Sequence, residues 1–408
     1  MDKLQKYVKM IVNVGVNIQP GQKLLVRCPV DLAYFARMAM EEAYAAGAAD
    51  VSILWGDEIS ARINYLMAPD SNFGNEIGWM KERVQYLVDE GYCLLAVSSS
   101  DPESLKGVDP ERISKEQTML SKINKPLSDK VTSSSIQWTI ASIPSPAWAR
   151  KVFPQAADDE AAMAMMWEAI YAASRIDEND PVENWNKHIV NLQKKVDAMM
   201  GYNFKYLHFK NGVGTDLKME LHKDHIWVAC GEKAKTGNNF IANIPTEEVF
   251  SAPLRTGVNG VVYSTKPLVY MGDVIDEFWL RFENGKVVEY DAKKNKNLLE
   301  KLLTTHENAD YLGEVALVPH SSPISQSGIL WYNTLYDENA SCHLALGRGY
   351  NYNLGGTDGK TDDELNEMGL NQSLTHADFM FGSADMEIVG TTHDGKEVAV
   401  FKAGEWAL

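Results

Sequence analysis

The sequence predicts a two-domain protein, an N-terminal α/β domain with parallel strands and a C-terminal, mostly antiparallel β domain (α/β followed by α+β). Three observations carry this. The chain has 408 residues, more than one small core organises. Its first half alternates short apolar runs with helix-length amphipathic segments, the pattern of parallel strands joined by helical crossovers. From about residue 204 the pattern changes to short alternating runs divided by Asn-Gly and Asp-Gly turns. The expected domains are therefore 1–203 and 204–408.

In order, residues 3–18 place Leu4, Tyr7, Val8, Ile11 and Val12 at helical spacing, and Pro20-Gly21 ends that helix. KLLVRCPV (23–30) reads as a buried strand. Asp31 is the expected cap of the alanine-rich helix that runs to Gly47, and DVSILWGD (50–57) is the next strand. The theme repeats through WMKERVQYLVDEG and YCLLAVSSSDP. Helices are expected around ISKEQTMLSKINKPLSDK, DDEAAMAMMWEAIYAASR and WNKHIVNLQKKVDAMMGYN (185–203), with a strand in SSIQWTIAS. In the second half Asn284-Gly285 marks a hairpin between WLRF and KVVEY, and Asp394-Gly395 marks another. KNLLEKLLTTHENADYLG supplies a helix before a strand containing Glu314. DENASCHLALG reads as a turn and short helix.

Bulk properties narrow the function. The formal net charge is -17, which argues against a nucleic-acid or anionic-membrane partner. The four cysteines are scattered without CxxC spacing, which disfavours a disulfide framework or thiolate zinc site. No secretory leader or membrane-length apolar run is visible, so a cytoplasmic location is expected. HExxH, GxSxG and P-loop motifs do not occur.

What remains is a set of carboxylates and imidazoles inside apolar, strand-like segments between Tyr311 and Met380, with Glu247 and Glu248 upstream. Buried charge calls for pairing or a metal. His376 and Asp378 are two apart in HADF, so a strand points both to one face. Glu314, Glu338 and His343 complete a carboxylate-rich set with two imidazoles, which suits Zn, Co, Mn or Mg in a catalytic site. Five or six candidates exceed what one zinc takes. A pair of ions sharing a carboxylate would use them all, and such a pair activates water and polarises a carbonyl, as amide hydrolysis requires. Spacing alone also admits the plainer reading, in which the acid pairs are solvated turns and the histidines are hydrogen-bonded core residues.

The segments NIPTEEVFSAP, GVVYSTKPL, YLGEVALVPHSSPIS, YNTLYDENASCHLALG and THADFMFGS resemble, in this order, the signature blocks of the M29 family of thermophilic aminopeptidases (the aminopeptidase T, S and II group), and the likeness extends to PGQKLLVRCPVDLAYFAR near the start. The resemblance implies a metal-dependent aminopeptidase of broad specificity, with two divalent ions in the C-terminal domain. It also implies a homodimer whose sites face an enclosed space that admits short peptides with a free N-terminus. The ligands it implies are Glu248, Glu314, His343, His376 and Asp378, with Glu338 a further one and Glu314 the bridge. Tyr350 matches a tyrosine that hydrogen-bonds the developing oxyanion, and Glu247 or Glu338 would shuttle the proton to the leaving amine. The stretch RGYNYNLGGTDGKTDDELNEMG is the least family-like part. Two rival classes stand beside this reading: a hydrolase of a different amide, such as a dipeptidase or amidohydrolase, and an inactive binding protein that keeps the residues without the chemistry.

Overall fold

The computed structural model describes residues 2–99, 104–177, 179–271 and 273–408. The chain divides into two compact units. One comprises Met1–His188 with Gly231–Pro245, the other Ile189–Cys230 with Thr246–Leu408. The division falls inside the helix Pro181–Tyr202. Residues 231–245, expected in the second half, belong to the first unit because Asn243–Ile244 adds a strand to its sheet.

That sheet has five strands in the order Asn243–Ile244, Trp138–Ser142, Cys93–Ser98, Lys23–Pro29 and Asp50–Gly56, and every pairing is parallel. The expected strand–helix–strand unit is present. The helix Ala33–Ala45 buries Phe35, Ala36, Ala39 and Ala43, a stripe at helical spacing. The expected Asp31 cap is not made. Val30–Leu32 form a tight 3₁₀ turn, and Leu32 opens the helix with no side-chain cap. The first helix, Lys3–Met10, has a full capping box from Asp2 and Gln5 and widens into a π-helical turn at Ile11–Gly15. Val84, Met119, Ile123, Leu127 and Ile136 form a separate apolar cluster beside this sheet's helices. Part of YCLLAVSSSDP lies outside the described residues; Cys93–Ser98 is its strand.

The second unit is built on antiparallel pairing. A nine-stranded sheet contains the Asp273–Glu283 and Lys286–Lys294 hairpin, turned at Asn284 (φ 49°) and Gly285 (φ 83°). Two successive positive φ values are what a twist-matched two-residue hairpin needs. The second expected hairpin joins Glu387–Thr392 to Glu397–Lys402 around Gly395. A separate five-stranded sheet has the order His376–Met380, His343–Gly347, Leu312–Leu317, Val249–Ser251 and Val228–Ala229. Here the expected turn and helix over DENASCHLALG is corrected. Thr334–Asp337 is a short helix and Glu338–Ala340 a 3₁₀ turn, but HLALG is a strand, buried along its whole length. Its neighbours on both sides supply edges for it to pair with, and that tertiary pairing overrides a weak local preference.

Candidate metal centre

Register decides which residues of this sheet share a face. Ala345 pairs directly with Glu314 on one side and with Asp378 on the other. Directly paired residues point the same way, and residues two apart on a strand do too. Glu314, Ala345 and Asp378 therefore form one row across three strands. His343 lies two residues before Ala345, and His376 two before Asp378, on the same face. Phe250 pairs with Ala316, which pairs with His343, so the face continues onto the next strand, and Glu248 precedes Phe250 by two. The middle of the face carries only Ala316, Ala345 and Gly347, whose small size leaves room above the sheet.

The side chains converge. Glu248, Glu314 and His343 bring one ligand atom each to within 4.8 Å of one another, and Glu314, His376 and Asp378 do the same. Glu314 belongs to both groups. His343 Nε2 lies 3.1 Å from Glu248 Oε2 and 3.6 Å from Glu314 Oε1. His376 Nε2 lies 3.8 Å from Glu314 Oε2 and 3.4 Å from Asp378 Oδ1. The other ring nitrogens are held from behind. His376 Nδ1 donates to the Arg348 carbonyl at 2.8 Å and His343 Nδ1 to the Ser341 carbonyl at 3.3 Å, which aims both Nε2 atoms into the site. Gly347 makes the Arg348 contact possible. It turns the strand end at φ 98°, where a Cβ would stand 2.1 Å from the Thr375 carbonyl oxygen.

The electrostatics favour cations. Burial and the charges of Glu248 and Asp378 push the Glu338 carboxyl well above its usual range. Glu314 is raised by burial in the same surroundings. For Asp378 burial acts upward too, but the adjacent His376 outweighs it and holds the carboxyl low. Burial disfavours the charged imidazole of His376, yet Asp378 overcomes it and pushes the group up to about 10. His343 is likewise raised well above its ordinary value, against burial, by hydrogen bonds to Glu248 and Glu314. With all four carboxyls ionised, Glu248, Glu314, Glu338 and Asp378 would outnumber the two imidazolium charges, and the raised carboxyls of Glu314 and Glu338 reflect burial and that crowding. An oxygen-rich donor set with two oriented imidazoles fits divalent metal ions.

Each expected site residue has a place. Glu248, Glu314, His343, His376 and Asp378 make up the two groups. Glu338 is beside them but in neither. Glu247 is buried and also in neither; its N–H donates to Asn339 Oδ1 at 2.8 Å. The Tyr350 hydroxyl is 3.5 Å from His376 Nε2, with its ring stacked on Tyr352 at 5.3 Å and edge-on to Phe250. Burial and the nearby carboxylates raise its phenol, keeping it a hydrogen donor. Two residues gain roles that spacing did not assign. Asn339, fully buried, ties the backbone of Glu247 to the turn carrying Glu338, donating to the Leu335 carbonyl and to Glu338 Oε1. Asp337 accepts the N–H groups of Trp331 and Asn333 and so braces the loop before that turn. In the sequence Asn339 shows only as a polar residue after the Asp337-Glu338 pair, and Asp337 only as one acid of that pair.

The family model for thermophilic metalloproteases (M29) matches residues 1–406. The chain belongs to the M29 family. It is similar to aminopeptidase AmpS of Bacillus subtilis (strain 168), with 43% identity over 100% of this chain and 98% of that one. It is similar to aminopeptidase T of Thermus aquaticus at 37% identity, over 100% and 99% of the two chains. The solved structure of wild-type AmpT from Thermus thermophilus superposes with a TM-score of 0.92 at 36% identity, covering 100% of this chain and 99% of that one. A dihydroxypyridine dioxygenase from Pseudomonas putida KT2440 shares the fold alone, at a TM-score of 0.51 and 13% identity, over 99% of this chain and 96% of that one. This M29 chain is accordingly an enzyme, a metal-dependent hydrolase.

Proposed function

We propose that this metallo-aminopeptidase removes single residues from the free N-terminus of short peptides, using two divalent ions, of Zn, Co, Mn or Mg, held by Glu248, Glu314, Glu338, His343, His376 and Asp378. One observation carries the two-ion reading: the ligand groups are two, and Glu314 belongs to both. When bound, such a pair lowers the pKa of a water and polarises the scissile carbonyl. The chain's own residues do the rest. Glu314 presents one oxygen toward each imidazole, the geometry of a bridging carboxylate. The substrate's free α-amine meets an ion or an acid at the closed end of the site, which fixes which end of the peptide enters. The Tyr350 hydroxyl, a donor beside His376, hydrogen-bonds the oxygen that gains charge as the carbonyl is attacked. A carboxylate carries the proton to the leaving amine. Glu338 lines the cavity next to Asp378, which favours it; Glu247 is the second candidate.

Two expectations accompany this reading. A homodimer is supported by the helix Glu58–Met67, which buries none of its residues and exposes Ile59, Ile63, Leu66 and Met67 at helical spacing. A cytoplasmic location is consistent with the absence, among the described residues, of any helix long and apolar enough to cross a membrane. Sedimentation and fractionation test them.

The deciding experiment measures metal per chain together with cleavage of free and N-acetylated amino-acid p-nitroanilides, before and after chelation. Two ions, chelator-sensitive cleavage and intact acetylated substrates support the reading. Cleavage of blocked substrates assigns another amide hydrolase. Absence of metal and of activity after Co or Zn is restored leaves a fold without this chemistry.

A further inference from the structure

The first unit brings two arginines together with no acid between them. Arg27 lies near the end of the strand Lys23–Pro29, and Arg83 in the helix Gly78–Asp89. Leu25, Leu87 and Leu94 pack together where this helix lies on the parallel sheet. The helix leads into Cys93–Ser98 through residues 90–92, so it runs against the strands. Two residues along the strand from Leu25 is Arg27, on the same face and about 6.6 Å nearer the carboxyl end. Four residues back along the helix from Leu87 is Arg83, on the same face and about 6 Å in the same direction. The two steps match, so Arg83 stands over Arg27. Arg27 reaches solvent, and desolvation by the protein around it, then the charge of Arg83, lower its guanidinium from its ordinary value.

Neither group is compensated. Among the described residues neither makes an ion pair or a hydrogen bond, and Arg83 Nε is closed off from solvent with no partner. The Arg83 guanidinium lies 4.9 Å from the centre of the exposed Trp79 ring one turn earlier, a contact that steadies its fork. The first turn of this helix holds no acid, and Glu76 before it is taken by Lys81 at 2.6 Å. The place in the sheet is a separate observation. From Lys23–Pro29 the chain goes to Asp50–Gly56 on one side, then returns to Cys93–Ser98 on the other. Such a reversal opens a crevice at the carboxyl ends of the two inner strands, where open α/β sheets take ligands. Arg27, paired with Ala96, borders that crevice.

We propose that Arg27 and Arg83 form an oxyanion site in the first unit, and that its ligand is inorganic phosphate or a phosphate monoester. Two adjacent cations call for two negative charges. A phosphate group carries about −1.5 to −2 at pH 7 and offers several oxygens to the two forks, whereas a carboxylate supplies a single charge. The site is separate from the aminopeptidase reading and does not depend on it.

The test titrates inorganic phosphate, and separately glycerol 3-phosphate, into the full-length, metal-loaded protein by calorimetry at constant ionic strength. Wild type should show saturable binding, with acetate at least about tenfold weaker; the tighter of the two phosphates names the source. Arg27→Met and Arg83→Met should each weaken phosphate binding about tenfold or more, the scale of a lost charge-assisted hydrogen bond, with metal content unchanged. Arg27→Glu builds the missing counter-charge into the chain. It should abolish binding and raise the melting temperature of the phosphate-free protein. Absence of saturable phosphate binding in wild type overturns the proposal and needs no variant. Binding that survives both methionine variants also overturns it, because the phosphate then sits elsewhere, as on the metal ions. A methionine variant that changes the sedimentation of the protein but not its phosphate affinity assigns the pair to a contact between copies instead.

Discussion

The two five-stranded sheets, one in each unit, are alike in burial and opposite in chemistry. In the first unit Leu24, Leu25 and Val26 run buried in succession, and Leu94 and Leu95 beside them do the same. Both faces of that parallel sheet are apolar, as crossover helices require. In the second unit Leu312–Leu317 and His343–Gly347 are buried at every position too. Yet alternate residues there are Glu314 and His343, and the neighbouring strand adds His376 and Asp378. Burial therefore locates a sheet without saying what it does. A carboxylate or imidazole set inside a buried run marks the face on which the metal centre is proposed.

The largest expected effect comes from the charged face. Glu314→Gln keeps shape and removes the shared anion; kcat/KM should fall by about 10³-fold or more with the circular dichroism spectrum unchanged. Normal activity would strip Glu314 of its role and leave the two sheets functionally alike. Next, Tyr350→Phe should lower kcat by about 10²-fold while metal content, measured by atomic emission, stays at the wild-type value; loss of metal instead would make Tyr350 part of the ligand scaffold. His376→Ala should reduce bound metal, and an unchanged content would discount it as a ligand. Saturation with the bound metal should raise stability, by about 2.7 kcal/mol at a free concentration one hundred times Kd, seen as a metal-dependent melting temperature. The smallest effect on catalysis should come from the apolar sheet. Leu95→Ala, in its central strand, should cost about 2 to 5 kcal/mol of stability by leaving a cavity, yet leave kcat per folded molecule unchanged.

Local pattern made much of this readable from the sequence. The period-2 spacing of His376 and Asp378 gave their common face, the Asn284-Gly285 pair gave its hairpin, and the alternation of apolar runs with amphipathic segments gave the parallel sheet. Pairing between distant strands was beyond it. His343 was expected in a helix because Asp337 to Cys342 is turn-like and HLALG is too short for its period to decide. Residues 231–245 resembled the strands around them, and only the edge left by Trp138–Ser142 draws Asn243–Ile244 into the first unit. The structure also separates the adjacent acids Glu247 and Glu248, which spacing alone treats as equals and the family resemblance assigns different roles. The bracing by Asn339 depends on a contact across 92 positions of sequence, and no window reaches that far.

Glu314, Ala345 and Asp378 span three adjacent strands, from the middle of their sheet to its rim. Strand spacing places the backbones of the two acids about 10 Å apart, a distance fixed by amide hydrogen bonding and by nothing in the loops. Where their carboxylates meet is then a matter of arm length alone. The longer arm, glutamate, stands inboard, and the shorter, aspartate, outboard. Exchanging the two lengths conserves every charge and every donor and yet slides the meeting point inboard, away from the rim, so the centre's position is written in single methylenes against a backbone ruler.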